Sequence, residues 1–185
     1  MPEERAVGTL DLTASIVRGV NLSVGIRNSI DKSFPIGFCC GERVFICDNL
    51  AFGASTVIAK KHTRFGGQRF NERLSEVILG LSEYQLQAKQ RINRLQEHNL
   101  SEDRANSLML QAFEKGVVSN RTLPKVINEY RKPRHEEFEP RTAWSLLNAF
   151  TEILKERQNN PALFASLTIR LQGLLDPVAP LLVAS

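Results

Sequence analysis

The chain's 185 residues suffice for one ordinary domain and are too few for two comfortable ones. A hydrophobic share of 42% beside 24% charged residues excludes wholesale disorder, and no stretch approaches the roughly 20 apolar residues of a membrane helix. A net charge of +4 is compatible with a polyanionic partner without demanding one.

There are 3 cysteines, Cys39, Cys40 and Cys47. An odd count within one short stretch is no disulfide framework. Met1-Pro-Glu-Glu-Arg has no apolar run behind it that would resemble a secretory signal. The expectation is a soluble protein of the reducing cytoplasm, with free and mostly buried thiols.

Eight of the 11 glycines precede residue 68 (Gly8, Gly19, Gly25, Gly37, Gly41, Gly53, Gly66 and Gly67), which suggests short strands first and helices later. Apolar residues alternate in Leu10–Ile16 and again in Leu22–Arg27, the period of a half-buried strand. Phe34–Cys40 and Arg43–Cys47 flank Gly41-Glu42, a Gly-X pair suited to a two-residue hairpin turn. That register would pair Cys39 with Val44, Phe38 with Phe45, and Ile36 with Cys47. Ser55–Lys61 predicts a final strand, completing an antiparallel meander of about five.

From Phe70 the spacing becomes helical: Phe70, Leu74, Val77, Ile78, Leu81, Tyr84, Ala88, Ile92 and Leu95 mark one long amphipathic helix to about His98. Its polar face, with Arg69, Arg73, Lys89, Arg91 and Arg94 against Glu72, Glu76, Glu83 and Glu97, reads as solvated. Ser101 before Glu102 and Asp103 starts a second helix, which should stop at Gly116. Thr122 and Pro124 open a short third. Arg131–Pro140 reads as an exposed connector. A helix carrying Ala143, Leu147, Phe150 and Leu154 follows. The last starts at Asn160-Pro161 and turns Phe164, Leu167, Leu171 and Leu174 inward. The chain is thus expected to be a single α+β domain over 1–185, with a strand half at 8–65, a helical half at 68–175 and a flexible tail at 176–185.

Three clusters carry polar chemistry. Arg27-Asn28-Ser29-Ile30-Asp31-Lys32-Ser33 sits between two predicted strands. Asn, Ser and Asp bond back to backbone in turns, and a structural turn accounts for most of it. Ser29 and Lys32 have a Ser-x-x-Lys spacing, but on a loop and without the companion motifs of acyl enzymes. Cys47-Asp48-Asn49 caps a turn or starts a short helical segment through Leu50-Ala51-Phe52; alternatively Asp48 meets Lys32 or Arg27 in a shared polar pocket. The most basic stretch, Lys60-Lys61-His62-Thr63-Arg64-Phe65, opens onto Gly66-Gly67 before the long helix. A solvated loop is the common explanation for such a run. Cations, a flexible glycine pair and an aromatic ring at a helix N-terminus would also suit a phosphate backbone and a stacked base. His62, His98 and His135 lack metal-ligand spacing, and neither a Walker loop nor a dinucleotide fingerprint occurs, so no metal or cofactor is expected.

In RNSIDKS, VFICDNLAF and KHTRF, spanning residues 27–65, the sequence resembles the phage/plasmid-like proteins grouped as a domain of unknown function. Members show these three stretches in this order. The resemblance implies a mobile-element setting, concerned with DNA handling or host interference, and no settled activity. Two departures stand out. The family has a longer portion before the strand matching Gly8–Leu12, so the expectation is either a truncated start or an unpaired sheet edge that a partner chain or a second copy could cover. Ile30 stands where a small polar residue or His is usual.

Three functions compete. The leading one is a non-catalytic nucleic-acid-binding accessory protein, with Arg27, Lys32, Lys60, Lys61, His62 and Arg64 on phosphate and Phe65 stacking. In outline, strands feeding one long helix are similar to single-strand annealing proteins, an analogy of fold alone. The second is an enzyme with a pocket formed by Asn28, Ser29, Asp31, Lys32, Asp48, Asn49 and His62. The third is an interaction module using the sheet edge or the long helix.

Overall fold

A computed structural model describes residues 5–29, 36–44, 49–60 and 66–176. The first three segments form an antiparallel sheet in which each strand pairs with the next: β1 (Arg5–Val17), β2 (Val20–Ser29), β3 (Ile36–Val44) and β4 (Asn49–Lys60). The rest is helical: α1 (Gly66–Glu97), α2 (Glu102–Glu114), α3 (Leu123–Arg131), α4 (Ala143–Leu154) and α5 (Pro161–Leu175), with 3-10 turns at Glu136–Phe138 and Lys155–Arg157. The protein is α+β, a meander followed by helices, as the glycine distribution and the change of period predict.

Arg18-Gly19 joins β1 to β2, with Val17 opposite Val20 and Gly19 at φ +80°, a backbone region that favours glycine. Three details differ from expectation. No turn occurs at Gly41-Glu42: β3 runs straight through, with Glu42 between Leu22 and Ala51. Cys39 therefore pairs with Gly25 and Val57, Phe38 with Ile26 and Ile58, and Ile36 with Lys60. The reason is that Glu42 finds buried donors on two helices, so a charge in mid-strand does not force the chain out to solvent. Leu50, Ala51 and Phe52 lie in β4, not in a helical segment, because they continue the ladder with Arg43, Glu42 and Gly41. Gly66 and Gly67 belong to the first turn of α1 and not to a loop.

The helix ends follow their sequence signals. The Ser101 side chain accepts from the Arg104 N–H and the Asn160 side chain from the Leu163 N–H, each at 3.2 Å. At the end of α2, Gly116 has φ +66°, and the N–H groups of Gly116 and Val117 donate to the carbonyls of Phe113 and Ala112, which closes the helix. Buried Val117 then turns the chain back to the core.

One continuous core joins sheet and helices. Every residue of α4 except Glu152 is buried, so this helix is the central post. On the sheet, Val20 and Leu22 of β2 belong to this core together with Cys40 and Val44 of β3. Helix α1 contributes Tyr84, Ala88, Ile92 and Leu95, all from its second half. Its earlier residue Ile78, expected on the same stripe, is 57% exposed, and neighbouring Leu79 is 82% exposed. Among the described residues of the stripe, Ile78 is thus one that the core does not cover. The expected inward side chains of α5, Phe164, Leu167, Leu171 and Leu174, are all buried. The connector after α3 is less free than its composition suggests, because Phe138 is buried in it and its ring meets His135 edge-on at 6.1 Å.

Candidate nucleic-acid interface and polar centres

Backbone register places part of the predicted phosphate-binding set. Arg27, Asn28 and Ser29 end β2 and Lys60 ends β4. Arg27 pairs with Gly37, which pairs with Ala59, so Arg27 and Lys60 lie two strand spacings, about 10 Å, and one residue step apart. This is the end of the sheet from which the chain passes to α1, and the first turn of α1 carries no acidic residue. Lys32, Lys61, His62, Arg64 and Phe65 lie outside the described residues, as do Asp31 and Asp48.

Asn49 lies elsewhere. It opens β4 opposite Val44, which pairs with Val20. In a meander β2 and β4 run in the same direction, so the start of β4 adjoins the start of β2 and not its end. Seven residues, roughly 23 Å at ~3.3 Å each, separate that row from Arg27. Asn49 is therefore not brought together with Asn28 and Ser29, as the enzyme pocket required.

The strongest polar constellation is one the sequence reading missed. Glu42, 5% exposed, accepts from the Tyr84 hydroxyl at 2.6 Å and from the Arg91 guanidinium on one carboxylate oxygen, and from the Gln172 amide at 3.0 Å on the other. One buried carboxylate thus ties β3 to α1 and α5. Burial, reinforced by Glu42, pushes the Tyr84 phenol far above its ordinary range. Burial works against the Arg91 cation, but Glu42, Tyr84 and Asp176 outweigh it and hold it more firmly charged. Asp176, the last described residue, has its pKa raised by burial against the opposing pull of Arg91 and Arg94. A signal was available. Arg91 lies seven residues after Tyr84 and three after Ala88, on the buried face and not the solvated one assigned to it. Both oxygens of the Glu42 carboxylate are engaged, so its chemistry is that of a joint.

On the outward side of the same strands, Asp11 pairs with Arg43 at 2.9 Å and accepts from Ser23, stitching β1, β2 and β3.

A second polar centre surrounds Asn49. Its amide Nδ2 donates to Asn148 Oδ1 at 3.1 Å and to the Asn148 carbonyl at 3.2 Å. Asn49 lines a narrow crevice with Glu129, His135, Phe138, Asn148 and Glu152. Arg134 pairs with two of its carboxylates, with Nε 3.2 Å from Glu129 and Nη1 2.9 Å from Glu152.

Among the described residues no group of three or more His, Cys, Asp or Glu could hold a metal ion, and no helix is long and apolar enough to cross a membrane. No family model, no curated protein and no solved structure matches the chain.

Proposed function

We propose that the protein is a non-catalytic nucleic-acid-binding accessory protein of a mobile element, gripping the phosphate backbone at the sheet end where β2 and β4 finish and α1 begins. The observation that carries this reading is the register of Arg27 and Lys60. Two cations 33 positions apart in sequence come to neighbouring rows at one sheet end, beside the exit into the basic stretch Lys61–Phe65. The start of α1, where no acidic residue competes, adds unpaired backbone donors. Lys32, Lys61, His62 and Arg64 are assigned to the same backbone, with Phe65 stacking on a base. The family resemblance supports the setting in which such a protein would act.

The test is fluorescence anisotropy with single- and double-stranded DNA and RNA over a salt series. Affinity that falls steeply with salt is the expected result, since each neutralised phosphate releases counterions. No salt-sensitive binding to any of the four would remove the reading.

A second reading rests on β1. It is an edge strand of 13 residues, and its Leu10 is 55% exposed. A partner chain or a second copy adding a strand there makes the protein an interaction module. Sedimentation across a concentration series distinguishes the readings: self-association without nucleic acid favours this one.

A further inference from the structure

We propose that the outer edge of β1 is a self-recognition surface, on which the stretch Arg5–Asp11 pairs antiparallel with the same stretch of a second copy about a twofold axis at Gly8. The proposal rests on the interaction reading of β1 given above and commits it to one partner, one segment and one register. Of the two edge strands, β4 loses register between its pairs Phe52–Gly41 and Val57–Cys39, so its regular stretches are the four residues 49–52 and the four residues 57–60. β1 loses register after Asp11, but from Arg5 to Asp11 seven consecutive residues pair with β2 without interruption. Bulges, short strands, charges and prolines are what keep sheet edges from pairing with other chains. The stretch from Arg5 to Asp11 has no bulge, and residues 6–10, AVGTL, have no charge and no proline.

The charges of the stretch select a second copy as the occupant. It begins with a cation and ends with an anion, six positions apart and therefore on one face of the strand. An antiparallel pairing centred on Gly8 sets position 5 of each copy opposite Asp11 of the other, and position 6, an alanine, opposite Leu10. Parallel pairing in register would set like charges across from each other, which destabilises a sheet. Asp11 is fixed by Arg43 and Ser23 of its own chain, yet its side chain is 37% exposed and its carboxylate has further acceptor capacity for a second cation. Apolar surface lies on the opposite face. Leu10, across from Val24 and on the face of Leu22, is 55% exposed. Ile78, 57% exposed, stands two turns before Gln85, whose amide donates to the Ser15 carbonyl, so it lies on the side of α1 turned toward β1. A twofold axis normal to the sheet keeps the core faces of both copies on one side, where each brings its own Leu10 and Ile78.

Sedimentation of the full chain without nucleic acid, over a concentration series, is expected to show a dimer. Arg5→Glu sets two carboxylates across from each other at both ends of the pairing and should raise the dimer dissociation constant at least tenfold. Gly8→Cys tests the axis. Directly opposed residues have Cα atoms about 4.5–5.5 Å apart, within disulfide reach, and a Cβ at Gly8 meets no atom within 4 Å. Under oxidation Gly8→Cys should give a cross-linked dimer on a non-reducing gel that the wild type, with its own 3 cysteines, does not. Leu10→Cys should give none, because its two copies lie four residues, about 14 Å, apart along the strands. A chain that stays monomeric at every concentration overturns the proposal. Self-association that Arg5→Glu leaves unchanged, or cross-linking through Leu10→Cys in place of Gly8→Cys, overturns it too, while the broader reading of β1 as an interaction surface survives.

Discussion

The two ends of the sheet are built on different principles. At the end formed by Val20, Val44 and Asn49, the strands lie under α4 and α5, and even a carboxylate is enclosed and fully bonded. Toward the other end, Gly8, Thr9 and Leu10 of β1 are exposed, and so are Ser75, Ile78 and Leu79 of α1. Helix α1 is about 48 Å long, and among its described residues Tyr84, Ala88, Ile92 and Leu95 are buried in the core. The lesson is one of division of labour. Stability is concentrated where sheet meets helices, while Arg27 and Lys60 stand at the opposite strand ends.

The sharpest way to break this comparison is to disturb the joint. Arg91→Leu strands the Glu42 charge in the core and is expected to cost about 3–5 kcal/mol in urea denaturation, the usual effect of removing one partner of a buried pair. Replacing both, as Glu42→Leu with Arg91→Leu, should recover most of that loss. A double variant as unstable as the single one would mean that the network does more than satisfy itself.

A smaller effect sits at the edge of the joint, where the pKa of Asp176 is raised above its ordinary 3.8 by burial. The unfolded chain then loses this proton at lower pH than the folded protein does. The stability linked to it is complete below about pH 3.8 and declines as pH climbs through the raised value. Asp176→Asn should match the wild type at pH 3 and be the more stable of the two near neutrality, measured as urea midpoints at both values. At the exposed end, Leu79→Ala should change stability by no more than ~0.5 kcal/mol, the range of surface positions. A cost as large as that of a core leucine would show that α1 is covered there.

Much of the fold could be read from the residues, because its signals are local. Ser101, Gly116 and Asn160-Pro161 mark helix ends through bonds within a few residues. The stripe Phe164, Leu167, Leu171 and Leu174 needs only the helical period. What escaped depends on partners distant in sequence. Glu42 suited a turn because its partners stand 42, 49 and 130 residues away. Ile78 fits the inward period and is nonetheless exposed, which the period alone cannot tell. Of the candidate site, the register puts Arg27 and Lys60 at the same end of the sheet and separates Asn49 from Asn28 and Ser29, a consequence of strand direction that no single motif encodes.

The most direct test of the account compares wild type with a Lys60→Ala, Lys61→Ala double variant for single-stranded DNA binding across a salt series. The account predicts weaker binding for the variant and a log–log salt slope shallower by about 1.4, two phosphate contacts at roughly 0.7 each. An unchanged affinity and slope would place any nucleic-acid contact away from this end of the sheet and contradict the account.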